Sequence, residues 1–308
     1  MDRAQQKKLE LLCPSVQWRA NMAAYSSLRA GGAVEAMVEV TDCAILPQLL
    51  HWLEQEKLCW QILGGGSNIL FTSGLHRGVF IRLKGGLKDI THRQSPERPD
   101  EHLVEVGAGV SVALLLAWCL RRRLGGLEFM AGIPGTVGGA VAMNAGAFGG
   151  TVSDRLVMVH CLNAAGRFVT VPATDIVFQY RTAIFPPQCT AAFIITRTVF
   201  AMWPTSAESI GQRMREIIAQ RKAKQPGGVA SAGSFFKNPP GDYAGRLIEQ
   251  AGLKGYTLGQ AMVSAKHGNF IVNKGRASPE EILALKRYIQ ERVHACSGIM
   301  LEPEVRIY

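Results

Sequence analysis

FMAGIPGTVGGAVAMNAGAFGGTVS, residues 129–153, is a run of 25 residues (153 − 129 + 1) without a charge, holding seven glycines, one proline and one asparagine. Its length is that of a membrane span, and Gly135 and Gly139 carry the small-residue spacing of helix pairs in lipid. Glycine at this density argues against a helix. Each interior glycine costs about 0.8–1 kcal/mol relative to alanine, Pro134 removes a backbone donor, and neither an aromatic belt nor a one-sided basic cluster flanks the run. What glycine does permit is positive φ and close approach of backbone. Two readings stand: backbone laid against a flat or phosphorylated ligand, or a buried, close-packed turn region.

Outward from this run the chain alternates strand and helix signals. On its N-terminal side Ser111 predicts the cap of a helix that turns Val112, Leu115, Leu116, Cys119 and Leu120 inward, with Gly125 and Gly126 stopping it. Strands are expected at 34–40, 60–63, 79–83 and 103–106, and a helix with Ile45, Leu46, Leu49, Leu50 and Leu53 on one face follows Thr41 or Asp42. On the C-terminal side, 156–162 and 168–171 flank an Asn163 to Gly166 turn and read as a hairpin, and 192–200 as a further strand. The pattern changes at Trp203-Pro204, after which 206–222 reads as one helix. Ser278-Pro279-Glu280-Glu281 is a capping box that opens a helix with Ile282, Leu285, Ile289 and Val293 buried. The chain closes on LEPEVRIY, a strand with Glu302, Glu304, Arg306 and Tyr308 on one face. The class is α+β, with a first region at 1–203, divided near 85, and a second domain at 204–308.

The 308 residues, 47% hydrophobic and 19% charged, have the composition of a globular enzyme. Seven scattered cysteines, never spaced CxxC, indicate neither a disulfide framework nor a zinc site, and the seven histidines show no metal-ligand spacing, so no metal is expected. The first residues lack the apolar core of a secretory leader, and a cytoplasmic protein is expected. A net charge of +10 suits polyanionic ligands. Its tight basic runs, 121–123 and 221–224, lie at the ends of expected helices and are not interleaved with stacking aromatics, so neither nucleic acid nor membrane insertion is indicated.

Two glycine-rich loops, 64–68 and 132–150, follow strand-like segments. Neither continues into GKS or GKT, and neither sits as GxGxxG in a βαβ unit, yet backbone amides in such loops can bind pyrophosphate. GGGSN alone reads more readily as a tight turn than as a phosphate cradle; the pair together favours a large cofactor. ASAGSFFKNP (230–239) reads as a loop whose Ser234 lacks a nucleophile motif and by itself reads as a turn cap. Glu304 can be a solvated strand residue, Arg181 a turn arginine, and His267, in SAKHGNFIVN, either a site residue or a strand edge.

In this order the elements resemble the UDP-N-acetylenolpyruvoylglucosamine reductases, also called UDP-N-acetylmuramate dehydrogenases. Seven collinear motifs carry the resemblance: LRAGG (28–32), LGGGSNIL (63–70), GIPGTVGGAVAMNAGAFG (132–149), YRTAIF (180–185), AGSFFKNP (232–239), AGRLIEQAGLKG (244–255) and LEPEV (301–305). It implies a two-part FAD-binding region of the vanillyl-alcohol-oxidase/PCMH type followed by a smaller α+β substrate-binding domain. It also implies noncovalent FAD, NADPH as hydride donor, and UDP-N-acetylglucosamine enolpyruvate as substrate, in the peptidoglycan synthesis that underlies cell-wall biogenesis, cell shape and division. No obligate protein partner is expected.

By the same resemblance Arg181, Ser234 and Glu304 are catalytic, and Tyr180, Lys224, Asn238 and His267 contact substrate. The cofactor is expected against Gly64, Gly65, Gly66, Ser67 and Asn68, and against Gly132, Ile133, Pro134, Gly135, Gly138, Gly139, Asn144 and Gly146. The separation of 53 positions from Arg181 to Ser234 (234 − 181) resembles that of the shorter subtype, which lacks a tyrosine-bearing lid insertion. Ala183 and Ala30 depart from the family pattern, which has serine and a larger apolar residue there. The alternatives are another FAD-dependent oxidoreductase of the same superfamily and a non-catalytic nucleotide-binding protein.

The chemistry accounts for these residue types. Hydride addition at the terminal carbon of an enolpyruvyl ether leaves negative charge on the adjacent carbon and the carboxylate. A guanidinium can meet that carboxylate with oriented donors, a serine hydroxyl is always protonated at neutral pH and can protonate the basic carbon, and Glu304 is expected to carry or share a proton beside the carboxylate.

Overall fold

The computed structural model describes residues 1–86, 89–163, 165–187 and 193–308. Ala164 of the expected turn, Cys189, and Ala192 at the expected start of a strand lie outside these residues. Two compact units alternate along the chain. The first comprises Met1–Gln17, Ala36–Gly65 and Gly78–Ala219, the second Trp18–Glu35, Gly66–Arg77 and Gln220–Tyr308. The helix Ala207–Lys224 runs through the switch at 219/220. An expected single boundary near 204 thus differs from the grouping by compactness, which also draws 18–35 and 66–77 to the C-terminal part.

In the first unit one sheet has the order Val16–Asn21, Ala33–Val40, Leu75–Leu83, Trp60–Ile62, the last two parallel, and three of its strands run on into the second unit. The other is antiparallel, in the order Phe168–Pro172, Leu156–Leu162, Ile194–Pro204, His102–Gly107, Ile90–Gln94. The central strand Ile194–Pro204 is buried at eight of its first nine positions, so its sequence, IITRTVFAMWP, reads as a nearly continuous apolar run rather than an alternation.

Ser111 caps the helix Val112–Arg122 as expected, accepting from the Leu114 N–H at 3.2 Å. The expected stop at Gly125 and Gly126 is corrected. Arg123 itself takes the left-handed conformation (φ 56°), and Gly125 already belongs to a short strand paired with Trp203. The left-handed turn closes the last carbonyls, because the Arg123 N–H reaches Cys119 and Leu120, and a non-glycine residue accepts that strain where its own carbonyl is held by the Thr205 N–H at 2.8 Å.

The glycine-rich run also departs from expectation, since Val137–Ala142, VGGAVA, is helical despite its two glycines. Thr136 caps it, accepting from the Gly139 N–H at 3.3 Å. The N–H groups of Val137 and Gly138, which have no intrahelical acceptor, donate to Val110 and Ala108 carbonyls at 2.9 Å each. A Cβ on Gly138 would meet the Ala108 Cβ at 2.7 Å, so glycine is what lets the helix approach the sheet end. Close packing offsets the poor propensity. The rest of 129–153 includes parts of two 3₁₀ turns, Glu128–Met130 and Val152–Asp154, and two two-residue strands, and no helix among the described residues is long and apolar enough to cross a membrane.

The second unit is an antiparallel sheet, in the order Ala230–Ser234, Phe270–Asn273, Ala261–Val263, Thr257–Leu258, covered by the helices Ala244–Gln250 and Pro279–Ser297. Ile282, Leu285, Ile289 and Val293 are fully buried in one cluster with Phe235, Phe236, Leu247, Ile248 and Ile271. Ala30 lies in the same cluster, 3% exposed. Ser278 and Glu281 form the expected reciprocal box, and Pro279 opens the helix. Removing this cap by Ser278→Ala is expected to cost about 1 kcal/mol, read as a lower urea midpoint; an unchanged midpoint would show that Glu281 alone holds the helix start.

Candidate active site

Gly64 and Gly65, at the end of the strand Trp60–Ile62, lie against the Gly135–Gly139 segment, both within the first unit. A Cβ on Gly65 would sit 2.4 Å from the Gly135 Cα, and one on Gly64 3.0 Å from the Thr136 hydroxyl and 3.8 Å from the Gly139 Cα. Gly132 and Gly135 take φ of 79° and 119°, and Gly132 and Pro134 are exposed beside the half-buried Ile133. Backbone therefore packs on backbone in a strip nearly free of side chains, where the Val137, Gly138 and Gly139 N–H groups are taken by Val110, Ala108 and the Thr136 hydroxyl. The close approach that such a glycine-built strip permits fits a phosphate-bearing group such as the pyrophosphate of FAD. Gly65 and Gly138 are demanded by close packing, the second of the two readings of the run. Thr136, the cap and nearest side chain to Gly64, was not singled out from the sequence; a threonine directly before VGGAVA was the available signal.

Asn144 and Gly146 turn out to support a neighbouring hairpin. Val177–Gln179 and Thr182–Ile184 pair with Gln179 opposite Thr182, which leaves Tyr180 and Arg181 as the two turn residues. The side chain of Asn144, 8% exposed and itself at φ 38°, donates to the Gln179 carbonyl at 3.3 Å and accepts from the Ser153 N–H at 3.1 Å. Arg181, half-buried at φ 59°, donates from Nη1 to the Gly146 carbonyl at 2.9 Å, and its guanidinium lies 5.4 Å from the Tyr180 ring centroid. A left-handed arginine costs about 1–2 kcal/mol, and the two cross-links to 144–146 hold it there.

In the second unit, 66–68 supports a different partner. Gly66 takes φ 66°, its carbonyl accepts the Ser27 N–H at 2.9 Å, and Ser67 is half-buried. Asn68 donates from Nδ2 to the Glu304 carbonyl at 3.1 Å, and its own carbonyl accepts the Arg306 N–H at 3.1 Å. The strand Arg306–Ile307 then pairs in parallel with Ile69–Leu70.

ASAGSFFKNP is not a loop throughout, because Ala230–Ser234 is a strand paired with Phe270–Asn273. Its ladder slips between Ser231 and Ser234 as at a β-bulge, where Gly233 takes φ 77°. An extra residue at this point re-aims the side chain that follows it, which is Ser234. The expected terminal strand is likewise corrected. Residues 302–305 bond to 235–237, with Glu304 N–H on Phe235 O at 2.9 Å and Lys237 N–H on Glu302 O at 2.8 Å, and only 306–308 pair with 68–72. This exchange of partners ends the regular alternation, so Ile307 is 38% exposed while Tyr308 stacks on Phe71 at 5.5 Å. Ser234 and Glu304 are thereby joined through the single residue Phe235, with Glu304 Oε2 shielded from solvent and Glu302 turned to Lys237 at 3.3 Å.

The remaining candidates are more dispersed. Lys224 is exposed at the end of Ala207–Lys224, Tyr180 is 53% exposed, and the exposed Asn238 accepts the Ala244 N–H at 3.1 Å. His267 accepts the Asn269 N–H on Nδ1 at 3.2 Å and meets Phe270 edge-on at 4.8 Å. Burial holds its imidazole below the ordinary histidine value, assisted by Lys254 and opposed by a backbone hydrogen bond and Glu249. A base with a depressed folded-state pKa binds more protons unfolded, so this group's contribution is present above the unfolded value of about 6.5 and is lost as pH falls through the folded value. His267→Gln is therefore expected to flatten the loss of urea midpoint on acidification below about pH 6.5; superimposable slopes for variant and wild type would remove His267 from that account. Among the described residues six cysteines are free, with burial pushing the Cys119 thiol up to about 12, and no group of three acidic, histidine or cysteine side chains is placed to hold a metal.

A family model described as UDP-N-acetylenolpyruvoylglucosamine reductase, C-terminal domain, matches residues 225–308, and one described as FAD binding domain matches residues 34–172. The UDP-N-acetylenolpyruvoylglucosamine reductase of Syntrophus aciditrophicus is 40% identical over 283 residues, 92% of this chain and 88% of the relative. That of Alkalilimnicola ehrlichii is 41% identical over 287 residues, 93% and 92% of the two chains. The crystal structure of the UDP-N-acetylenolpyruvylglucosamine reductase from Thermus caldophilus matches with a TM-score of 0.79 at 35% identity, covering 95% of this chain and 98% of that one. Fold and these matches define an FAD-dependent oxidoreductase, mixed in helix and strand, with an FAD-binding domain over 34–172 followed by a C-terminal domain over 225–308. The chain belongs to the UDP-N-acetylenolpyruvoylglucosamine reductase family.

Proposed function

We propose that the chain reduces UDP-N-acetylglucosamine enolpyruvate to UDP-N-acetylmuramate with NADPH as hydride source, a cytoplasmic step of peptidoglycan synthesis. Residues 64–68, Gly132, Ile133, Pro134, Gly135, Gly138, Gly139, Asn144 and Gly146 would hold FAD noncovalently, and the bound cofactor would supply hydride transfer from NADPH to the terminal carbon of the enolpyruvyl group. Arg181 meets the substrate carboxylate, where charge develops as the double bond is lost; fixed donors of this kind contribute about 3–4 kcal/mol. Its cross-link to Gly146 limits the motion of the guanidinium, so its donors need little reorganisation. Ser234 gives its hydroxyl proton to the carbon bearing the ether oxygen, which completes the saturated product, and regains a proton from solvent. Glu304 shares a proton with the carboxylate, while Tyr180, Lys224, Asn238 and His267 bind the UDP-sugar.

One observation carries this reading. The Glu304 N–H to Phe235 O bond of 2.9 Å ties the backbone of Glu304 to the residue that follows Ser234 at the bulge, which supports the two side chains acting together in proton delivery. The test is NADPH oxidation with and without UDP-N-acetylglucosamine enolpyruvate, with NADH in parallel. Turnover that requires the enolpyruvyl substrate and prefers NADPH is the expected result. A yellow protein that oxidises NADPH only at the expense of oxygen is another oxidoreductase of the superfamily, and a colourless, inactive one a nucleotide-binding protein.

A further inference from the structure

Asn269 is 3% exposed and spends its entire side chain on the backbone just beyond Ser234. Its Oδ1 accepts the Phe236 N–H at 2.9 Å, its Nδ2 donates to the Phe236 carbonyl at 2.8 Å, and its own carbonyl accepts the Phe235 N–H at 2.7 Å. The other edge of the same dipeptide carries Glu304, through the 2.9 Å bond to the Phe235 carbonyl. Ser234 pairs with Phe270, the residue following Asn269, and the regular ladder stops there. The primary amide of asparagine has donor and acceptor side by side, so it replaces the strand partner that the ladder no longer supplies. Asn269 is fixed in turn by its N–H on His267 Nδ1 at 3.2 Å.

We propose that Asn269 is a positioning residue that sets the Ser234 hydroxyl relative to the Glu304 carboxyl for proton delivery, acting through the Phe235-Phe236 backbone. This rests on Ser234 being the proton donor. Asn269→Asp keeps an acceptor for the Phe236 N–H but sets oxygen against the Phe236 carbonyl, and Asn269→Ser withdraws both groups. Stopped-flow absorbance on the FAD-loaded enzyme separates reduction by NADPH from reoxidation by UDP-N-acetylglucosamine enolpyruvate. Both variants are expected to reduce at the wild-type rate while reoxidation slows on the order of 10²-fold, the effect of a misplacement of about 1 Å, with a larger solvent deuterium effect on that phase alone.

A structural role predicts instead a lower melting temperature with both phases unchanged or both slowed alike, and either pattern overturns the proposal, as does failure of both variants to fold with FAD. Ser234→Ala, measured alongside, separates the two readings. If it reoxidises at the wild-type rate, the proton-donor assignment falls and this inference with it. If it is slow while both Asn269 variants keep pace with wild type, only the positioning role is lost.

Discussion

The Ser234→Ala enzyme is expected to remain yellow and to be bleached by NADPH at the wild-type rate, while the enolpyruvyl substrate reoxidises it about 10²–10⁴-fold more slowly, the usual cost of losing a general acid. The asymmetry between the two phases follows from where the hydroxyl sits. Ser234 ends a strand of the second unit, just after the left-handed Gly233 and one residue before the Phe235 carbonyl that holds Glu304. Reduction of FAD by NADPH involves no carbon to be protonated, so the loss of one hydroxyl leaves it untouched. Ser234→Cys keeps a proton on a longer, more acidic group and should recover part of the rate. Equal rates in both phases for Ser234→Ala would transfer the proton to another donor and return Ser234 to the role of a turn residue.

Gly66→Ala is expected to be the most damaging single methyl in the GGGSN loop. Its Cβ would lie 1.7 Å from the Tyr25 carbonyl oxygen, and φ is 66°, so overlap with fixed backbone adds to left-handed strain. Together they should cost about 2–5 kcal/mol, and relief by backbone movement would break the 2.9 Å bond from the Ser27 N–H. Gly149→Ala is the matched comparison: φ is 82°, but nothing lies within 4 Å of the added carbon, so only strain of about 1–2 kcal/mol is expected. Urea midpoints of the two variants, with FAD content by absorbance, give the contrast. Equal losses would mean that the Tyr25 segment yields easily and that the loop is held by conformation alone.

The elements legible in the sequence were those whose determinants are local. Ser111 and the Ser278 box marked helix starts because a cap bonds three residues ahead, and the stripe from Ile282 to Val293 marked a buried face by its period. The helix at Val137–Ala142 was hidden because its support comes from Ala108 and Val110, about thirty residues upstream, against the propensity of its own glycines. The terminal strand was overextended for a related reason, since alternation cannot reveal that 302–305 and 306–308 serve different partners. For the site, quoted motifs supplied every candidate residue except Lys224, but not the bulge at Gly233 or the amide of Asn269. The signal is present in SAKHGNFIVN, where Asn269 stands two residues after His267.

The two bonds from 144–146 to the hairpin, Asn144 to Gln179 and Arg181 to Gly146, cross more than thirty residues of chain in opposite donor directions. They make the charge-free run and the YR turn one unit of inheritance. Substitutions in the two segments should be non-additive, with coupling on the order of 0.5–3 kcal/mol. A chimera that imports the hairpin of a relative would have to bring the relative's 144–146 segment with it, or lose the arginine's orientation while every hairpin residue is still in place.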